Sequence, residues 1–276
     1  MTASRILAAT ANVTGAPRSS PGDGPTYSIR IASDADEIRS VQRLRHLVFA
    51  DEIGATLHTS VAGLDVDEFD AHCDHLVVRD DRTGETVGTY RMLPPHRAAA
   101  LGRLYSDGEF DLSSLAPLRD ALVETGRSCV HPDHRSGAVI NLMWTGIARY
   151  LHLQNRRWLA GCASVPLGDG GGTADSVWEI ARTKHLSPPR LRVAPWRPYP
   201  VGPTPSNDRK RLLAAVPPLL RGYLRLGAWV CGEPAHDPDF GVADFFVLLS
   251  LDRVDPRYLK HFLGEDSMRT GQGDGP

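Results

Sequence analysis

Apolar and polar positions alternate along residues 27–32 (Tyr-Ser-Ile-Arg-Ile-Ala), the period of a half-buried strand. Residues 33–37 then supply an N-cap and an acidic first turn, and Val41, Leu44, Val48 and Phe49 share one side of a helix over about 38–50. Residues 51–63 are polar and aperiodic, which reads as a loop. Residues 75–79 and 86–93 alternate on either side of the turn Asp80-Asp-Arg-Thr-Gly84, predicting an antiparallel hairpin that Pro94-Pro95 stops. Short helical turns are expected over 101–110 and 113–118. A brief strand, 128–130, precedes the polar turn His131-Pro-Asp-His-Arg-Ser-Gly137. Beyond it Val139, Leu142, Met143, Ile147, Tyr150 and Leu151 recur at helical spacing to about 153. A buried strand (157–165), a short helix (176–184) and a Pro-rich irregular insertion (186–205) follow. Residues 217–227 open with Pro and close with Gly, as helices do, and 229–233 and 244–251 are the last strands. A hairpin beside an N-terminal helix predicts an α+β sandwich: a mixed, mostly antiparallel sheet flanked by helices.

Composition narrows this picture without redirecting it. Residues 1–26 are rich in Ala, Thr, Ser, Pro and Gly with no periodicity and read as a disordered leader; 265–276 read as a disordered tail. With no internal repeat, a single domain over 27–264 is the simplest organisation. The formal net charge of −2 lacks the basic signature of a nucleic-acid partner. No apolar run approaches the roughly 20 residues that span a bilayer, and the first residues lack a secretion pattern, so a cytoplasmic protein is expected. Cys73, Cys129, Cys162 and Cys231 have no CxxC spacing, which points to buried small hydrophobes rather than zinc or disulfides.

The chemistry centres on residues 124–140. A strand feeding a Gly-containing turn that opens a helix leaves the first backbone N–H groups converging on one spot, ready for a phosphate, and Arg135 adds a charge there. The P-loop is excluded because no Lys-Ser/Thr follows Gly137, and the dinucleotide fingerprint because only one Gly is present. Gly168-Asp-Gly-Gly-Gly172 could imitate a phosphate loop but reads as a turn. His75 and Asp80 fit a His-x4-Asp pattern yet lie on a strand. His131, Asp133 and His134 lack a fourth ligand, so no metal is expected.

The stretch Arg135-Ser-Gly137-Ala138 resembles the donor motif of the GNAT acyltransferase superfamily, with the spacing one residue looser. Leu44-Arg45, Asp67-Glu-Phe-Asp70, Gly88-Thr-Tyr-Arg91 and Glu124-Thr-Gly-Arg127 come in the order seen in acyl-homoserine-lactone synthases, a GNAT branch. The phrases Cys129-Val-His-Pro-Asp133, Gly137-Ala-Val-Ile140, 218–227 and 237–246 resemble its sister group, the hemolysin-like N-acyltransferases of ornithine-lipid synthesis. A tryptophan that lactone synthases carry after the Phe49 segment has no counterpart here, which argues against the lactone product.

The resemblance implies an amide-forming acyltransferase that moves a long, 3-hydroxylated or plain acyl chain from acyl carrier protein to the α-amine of an amino acid, ornithine foremost. No cofactor is held permanently; acyl-phosphopantetheine, on carrier protein or CoA, enters as donor. It implies that Cys129, Val130, Arg135, Ser136, Gly137, Ala138, Val139 and Ile140 bind the donor, with amides near Cys129 and Val130 freed by a bulge to hold the carbonyl oxygen. Glu124 is the candidate general base, with Arg127 beside it, or else the two form a structural ion pair. Arg45, Phe49, Asp67, Asp70 and Arg91 are placed around the acceptor, or else form an internal ionic network. Arg149, Arg156 and Arg157 could dock the carrier protein or simply be a solvated helix face. A monomer or weak dimer, with peripheral attachment to the inner membrane face, completes the expectation. Another acceptor, an acetyl-CoA donor, and a non-enzymatic acyl-carrier or lipid-binding module are the alternatives.

Overall fold

A computed structural model describes residues 6–9, 26–203 and 209–263. In chain order its strands are β1 (Ile6–Ala9), β2 (Tyr27–Ile31), β3 (Asp74–Asp80), β4 (Thr86–Leu93), β5 (Phe110–Asp111), β6 (Leu122–Val130), β7 (Trp158–Pro166), β8 (Ala194–Pro195), β9 (Trp229–Val230), β10 (Ala235–Asp237) and β11 (Val242–Ser250). Its helices are α1 (Ala35–His46), α2 (Pro95–Leu101), α3 (Gly137–Leu153), α4 (Gly172–Ile180), α5 (Arg209–Ala215), α6 (Pro218–Arg225) and α7 (Pro256–Leu263). The main sheet runs β1-β2-β3-β4-β6-β7-β11-β10, with β9 added to β11. Every pairing in it is antiparallel except β6 with β7. This is the mixed, mostly antiparallel sheet flanked by helices that the hydrophobic pattern predicts.

Local chemistry explains the elements beside the site. Asp34 caps α1, its carboxylate accepting from the amides of Asp36 (3.0 Å) and Glu37 (2.9 Å). The helix runs on into a π-helical turn, Leu47–Glu52, whose wider winding carries Phe49 inward. Helix α3 buries Val139, Leu142, Ile147, Tyr150 and Leu151 against β1–β4, as its spacing predicts. Gly146 lets α3 lie close to β2: a Cβ would sit 2.4 Å from the tip of the Ile29 side chain, which would have to shift. The other face of the sheet is covered by Phe69, Leu104, Leu112, Leu115 and Phe246.

Two expectations are corrected. Residues 6–9, assigned to a disordered leader, form edge strand β1 with Leu7 and Ala8 buried; the remainder of 1–25 and the tail lie outside the described residues. Four apolar residues inside a Thr/Ser/Pro/Gly-rich stretch give too short a pattern to stand out. Residues 168–172 form the expected turn: Asp169 accepts from Gly171 N and Thr173 N, each at 2.9 Å, and so starts α4. Arg149 does not stand free on α3: it donates to the carbonyls of Leu7 and Phe262 and fastens β1 and α7 to the helix. Arg156 donates to Asp120 O, and Arg157 pairs with Asp252.

Candidate active site

Strand β6 carries the site because of two interruptions. It pairs with β7 only through Leu122, Val123 and Glu124, and the ladder then stops. Gly161 sits where the strands part. A Cβ there would lie 2.1 Å from the Thr125 carbonyl oxygen, so only glycine permits this approach. On its other edge β6 stays against β4 but slips: Cys129 faces Thr89 while Gly126 faces Arg91, leaving an extra residue at Arg127–Ser128. Arg127 takes φ +50°, rare without glycine, and the bulge bends β6 away from β7.

The bulge thus falls one to two residues before Cys129. His131 N donates to Val87 O at 2.8 Å, so by antiparallel alternation the Cys129 N–H is committed to β4 and the Val130 N–H points toward the open side. Of the two amides expected to meet the donor, that of Val130 faces the opening between β6 and β7 and that of Cys129 does not. Burial also pushes the Cys129 thiol up to about 12, so it is inert as a nucleophile.

Between the parted strands lies a cavity of about 230 Å³. Thr125, Arg127 and Ser128 line one wall, Gly161, Cys162 and Ser164 the other, and Phe49, Ile53, Leu219 and Val247 make it mainly apolar. It reaches Tyr90 and Tyr223, whose hydroxyls are 2.7 Å apart. A second cavity of about 380 Å³ is polar, lined by Asp65, Asp67, Glu68, Arg103, Glu109 and Asp239 among others. Phe69, Tyr105, Arg127, Asp237 and Phe240 border both. The Arg127 guanidinium forms the partition, 5.0 Å from the ring centres of both Tyr105 and Phe240.

Glu124 lines the first cavity and is 4% exposed. It does not pair with Arg127. Its carboxylate accepts from the backbone amides of Tyr105 (2.6 Å) and Ser106 (2.8 Å), which anchors the turn that presents Tyr105. Burial pushes its carboxyl up by more than those amides draw it down, in the direction that suits a proton acceptor.

Arg127 instead lies 3.2 Å from Asp65 and 3.4 Å from Asp67. Arg45, 1% exposed, pairs with Asp65 and with both oxygens of Asp70. Arg91 bridges Asp67 (2.6 Å) and Asp70 (2.8 Å). Burial pushes the Asp70 carboxyl up, but Arg45 and Arg91 outweigh it and hold it far below the usual carboxylate range. Three arginines and three aspartates thus balance one another in charge, while Arg127 Nε and Asp67 Oδ2 are buried without a hydrogen-bond partner among the described residues. Arg45 and Asp70 line neither cavity, which corrects their placement at the acceptor; Phe49 and Arg91 line the first cavity and Asp67 the second.

At the turn, Ser136 caps α3: its Oγ accepts from Val139 N and its carbonyl from Ile140 N. The two earlier amides, of Gly137 and Ala138, have no partner inside the helix and lie on exposed residues. Val139 and Ile140 therefore offer no amide to a donor, another correction; Val139 is fully buried. Arg135 is held by Glu52 through two bonds of 2.7 and 2.5 Å, so its charge is already shared. His131 and His134 serve the fold, accepting from Asp133 N and bonding Tyr27 OH respectively.

Comparison with known proteins fits this geometry. The acetyltransferase (GNAT) domain family matches residues 44–145. An L-ornithine N(alpha)-acyltransferase of Rhodobacter capsulatus is 37% identical over 247 residues, 86% of this chain and 95% of the relative. Another, of Brucella abortus, is 32% identical over 261 residues, 87% of this chain and 90% of the relative. The chain belongs to this family of acyltransferases. It is an amide-forming GNAT enzyme. The solved CoA-dependent acyl-homoserine lactone synthase BjaI, with SAM and isopentyl-CoA, aligns at a TM-score of 0.47 and 17% identity, over 87% of each chain.

Asp65, Tyr105, Glu109, Asp237, Phe240 and Asp244 border the cavities without having been given roles from sequence. The phrase 237–246 stood out as a family match, but its carboxylates had no partner in sequence that would mark them as chemical.

Proposed function

We propose that this acyltransferase moves a long acyl group from an acyl carrier protein thioester to the α-amine of ornithine. The observation that carries the reading is an apolar cavity in the split between β6 and β7 joined across Arg127 to a polar, acid-lined one. The pantetheine arm lies in the split as an added strand would, meeting the Val130 amide, with its phosphate at the Gly137 and Ala138 amides. The acyl chain occupies the apolar end and the acceptor enters through the polar cavity. Attack forms the C–N bond and breaks the C–S bond; the amine gives up a proton, to Glu124 in this reading, and the thiolate leaves to be protonated. The names of the relatives favour ornithine. Among the described residues no helix is long and apolar enough to cross a membrane, and the lipid product fits release at a cytoplasmic membrane face.

Purified protein is incubated with 3-hydroxyacyl carrier protein or the matching CoA thioester and a pool of amino acids, and products are identified by mass spectrometry. N-acyl-ornithine from the carrier-protein reaction is expected. Transfer only from CoA would overturn the donor; an acylated product of another amino acid alone would overturn the acceptor.

A further inference from the structure

One group of carboxylates at the joint between the cavities takes part in no ion pair among the described residues. Asp244 faces Ser164 in the β11–β7 ladder, and Ser164 Oγ donates to its Oδ1 at 2.6 Å. It is 3% exposed, lines the first cavity, and among the described residues its other oxygen has no hydrogen-bond donor. Asp237 gives one oxygen to the amides of Asp239 and Phe240 and borders both cavities. Glu109 lines the second cavity. One oxygen from each of the three lies within 4.8 Å of the others. Burial, with Asp237 and Glu109 nearby, pushes the Asp244 carboxyl up to about 7. The other ionisable groups around the cluster are Tyr105, Cys162 from β7 and Arg127 from β6, with Asp239 and Arg197 beside Glu109. Arg127 already faces Asp65 and Asp67.

A buried carboxylate cluster short of positive charge is costly unless a ligand supplies it. Resting on the reading of an amino-acid acceptor, we propose that Asp244, Asp237 and Glu109 receive the side-chain ammonium of a diamino-acid acceptor. Three oxygens around one point match the three N–H donors of an ammonium. The reacting α-amine does not suit the cluster, because concentrated negative charge would hold its proton and oppose attack. A spectator ammonium keeps its charge throughout the reaction.

The test compares L-ornithine with L-norvaline, which keeps the carbon chain and α-amine but lacks the side-chain ammonium, using a long-chain acyl carrier protein thioester. Wild-type protein is expected to favour ornithine by about 100-fold in kcat/KM, as for a charge-assisted contact. That ratio should fall as pH drops from 8 to 6, because Asp244 gains a proton through about 7 and loses its charge. Asp244→Asn and Asp237→Asn should each bring the ratio toward unity, with the loss borne by ornithine. Asp244→Asn should melt no lower than wild type at pH 8, since it removes a buried charge. Equal loss on both substrates, an unchanged ratio, or a ratio abolished by EDTA would overturn the receptor. Wild-type acylation of norvaline as readily as ornithine would overturn it while leaving the acyltransferase reading intact. Acylation of neither would sink that parent reading and the receptor together.

Discussion

Asp70 accepts hydrogen bonds from Gln42, from two nitrogens of Arg45 and from Arg91, all in the protein interior. Asp70→Asn would leave Arg45 and Arg91 buried with too little opposing charge, a loss on the order of 3–5 kcal/mol; urea unfolding monitored by circular dichroism checks it. The pH dependence has a definite sign. The folded carboxyl lies below the ordinary aspartate value of 3.8, so its contribution is complete above that value and is lost as pH falls toward the folded one. Wild type should lose melting temperature steeply below about pH 4, a loss the Asn variant lacks. Five members of this network, Arg45, Asp67, Asp70, Arg91 and Arg127, were named from sequence. Their pairing was not legible there, because spacing along a chain cannot say whether buried charges meet one another or a substrate. Asp65 was missed for the same reason.

At the scale of elements, the split between β6 and β7 depends on one small residue. Gly161→Ala sets a methyl group against the Thr125 backbone, which cannot turn aside as a side chain would. The variant should lose about 2–4 kcal/mol of stability if it folds with the split displaced; calorimetry and donor binding report on it together. The long elements were legible: β3, β4, α3, β7 and β11 each lie within a few residues of the pattern that predicted them. Short pieces were not. Strands β1 and β10 have four and three residues, and the residues of helix α7, with Phe262 and Leu263 buried beside α3, were given no element from sequence. Such pieces take their structure from a neighbour's edge or face rather than from their own propensity.

For the whole molecule, the first cavity opens between two strands of the main sheet and the second lies among the loops beside it, so ligand binding and folding are coupled. An acyl carrier protein thioester at about 100 times its Kd should stabilise the protein by about 2.7 kcal/mol in the absence of acceptor. A rise in melting temperature with donor alone checks this, and Gly161→Ala should abolish it. Unacylated carrier protein should give a smaller shift, since the apolar cavity then remains unfilled.

By itself the sequence determined the order and type of the long elements, the α+β class, the polar turn that opens α3 and the family resemblance. All of these are written in local periodicity, turn chemistry and short motifs. Only the tertiary structure decided that the bulge falls at Arg127, that Glu124 is tied to the Tyr105 turn, and that Arg45 and Asp70 neutralise each other behind the site. It also decided that Asp244, Asp237 and Glu109 meet with no ion pair among the described residues. Those outcomes depend on which distant residues share a buried volume, and charge balance in a low-dielectric interior is settled by that neighbourhood rather than by position along the chain.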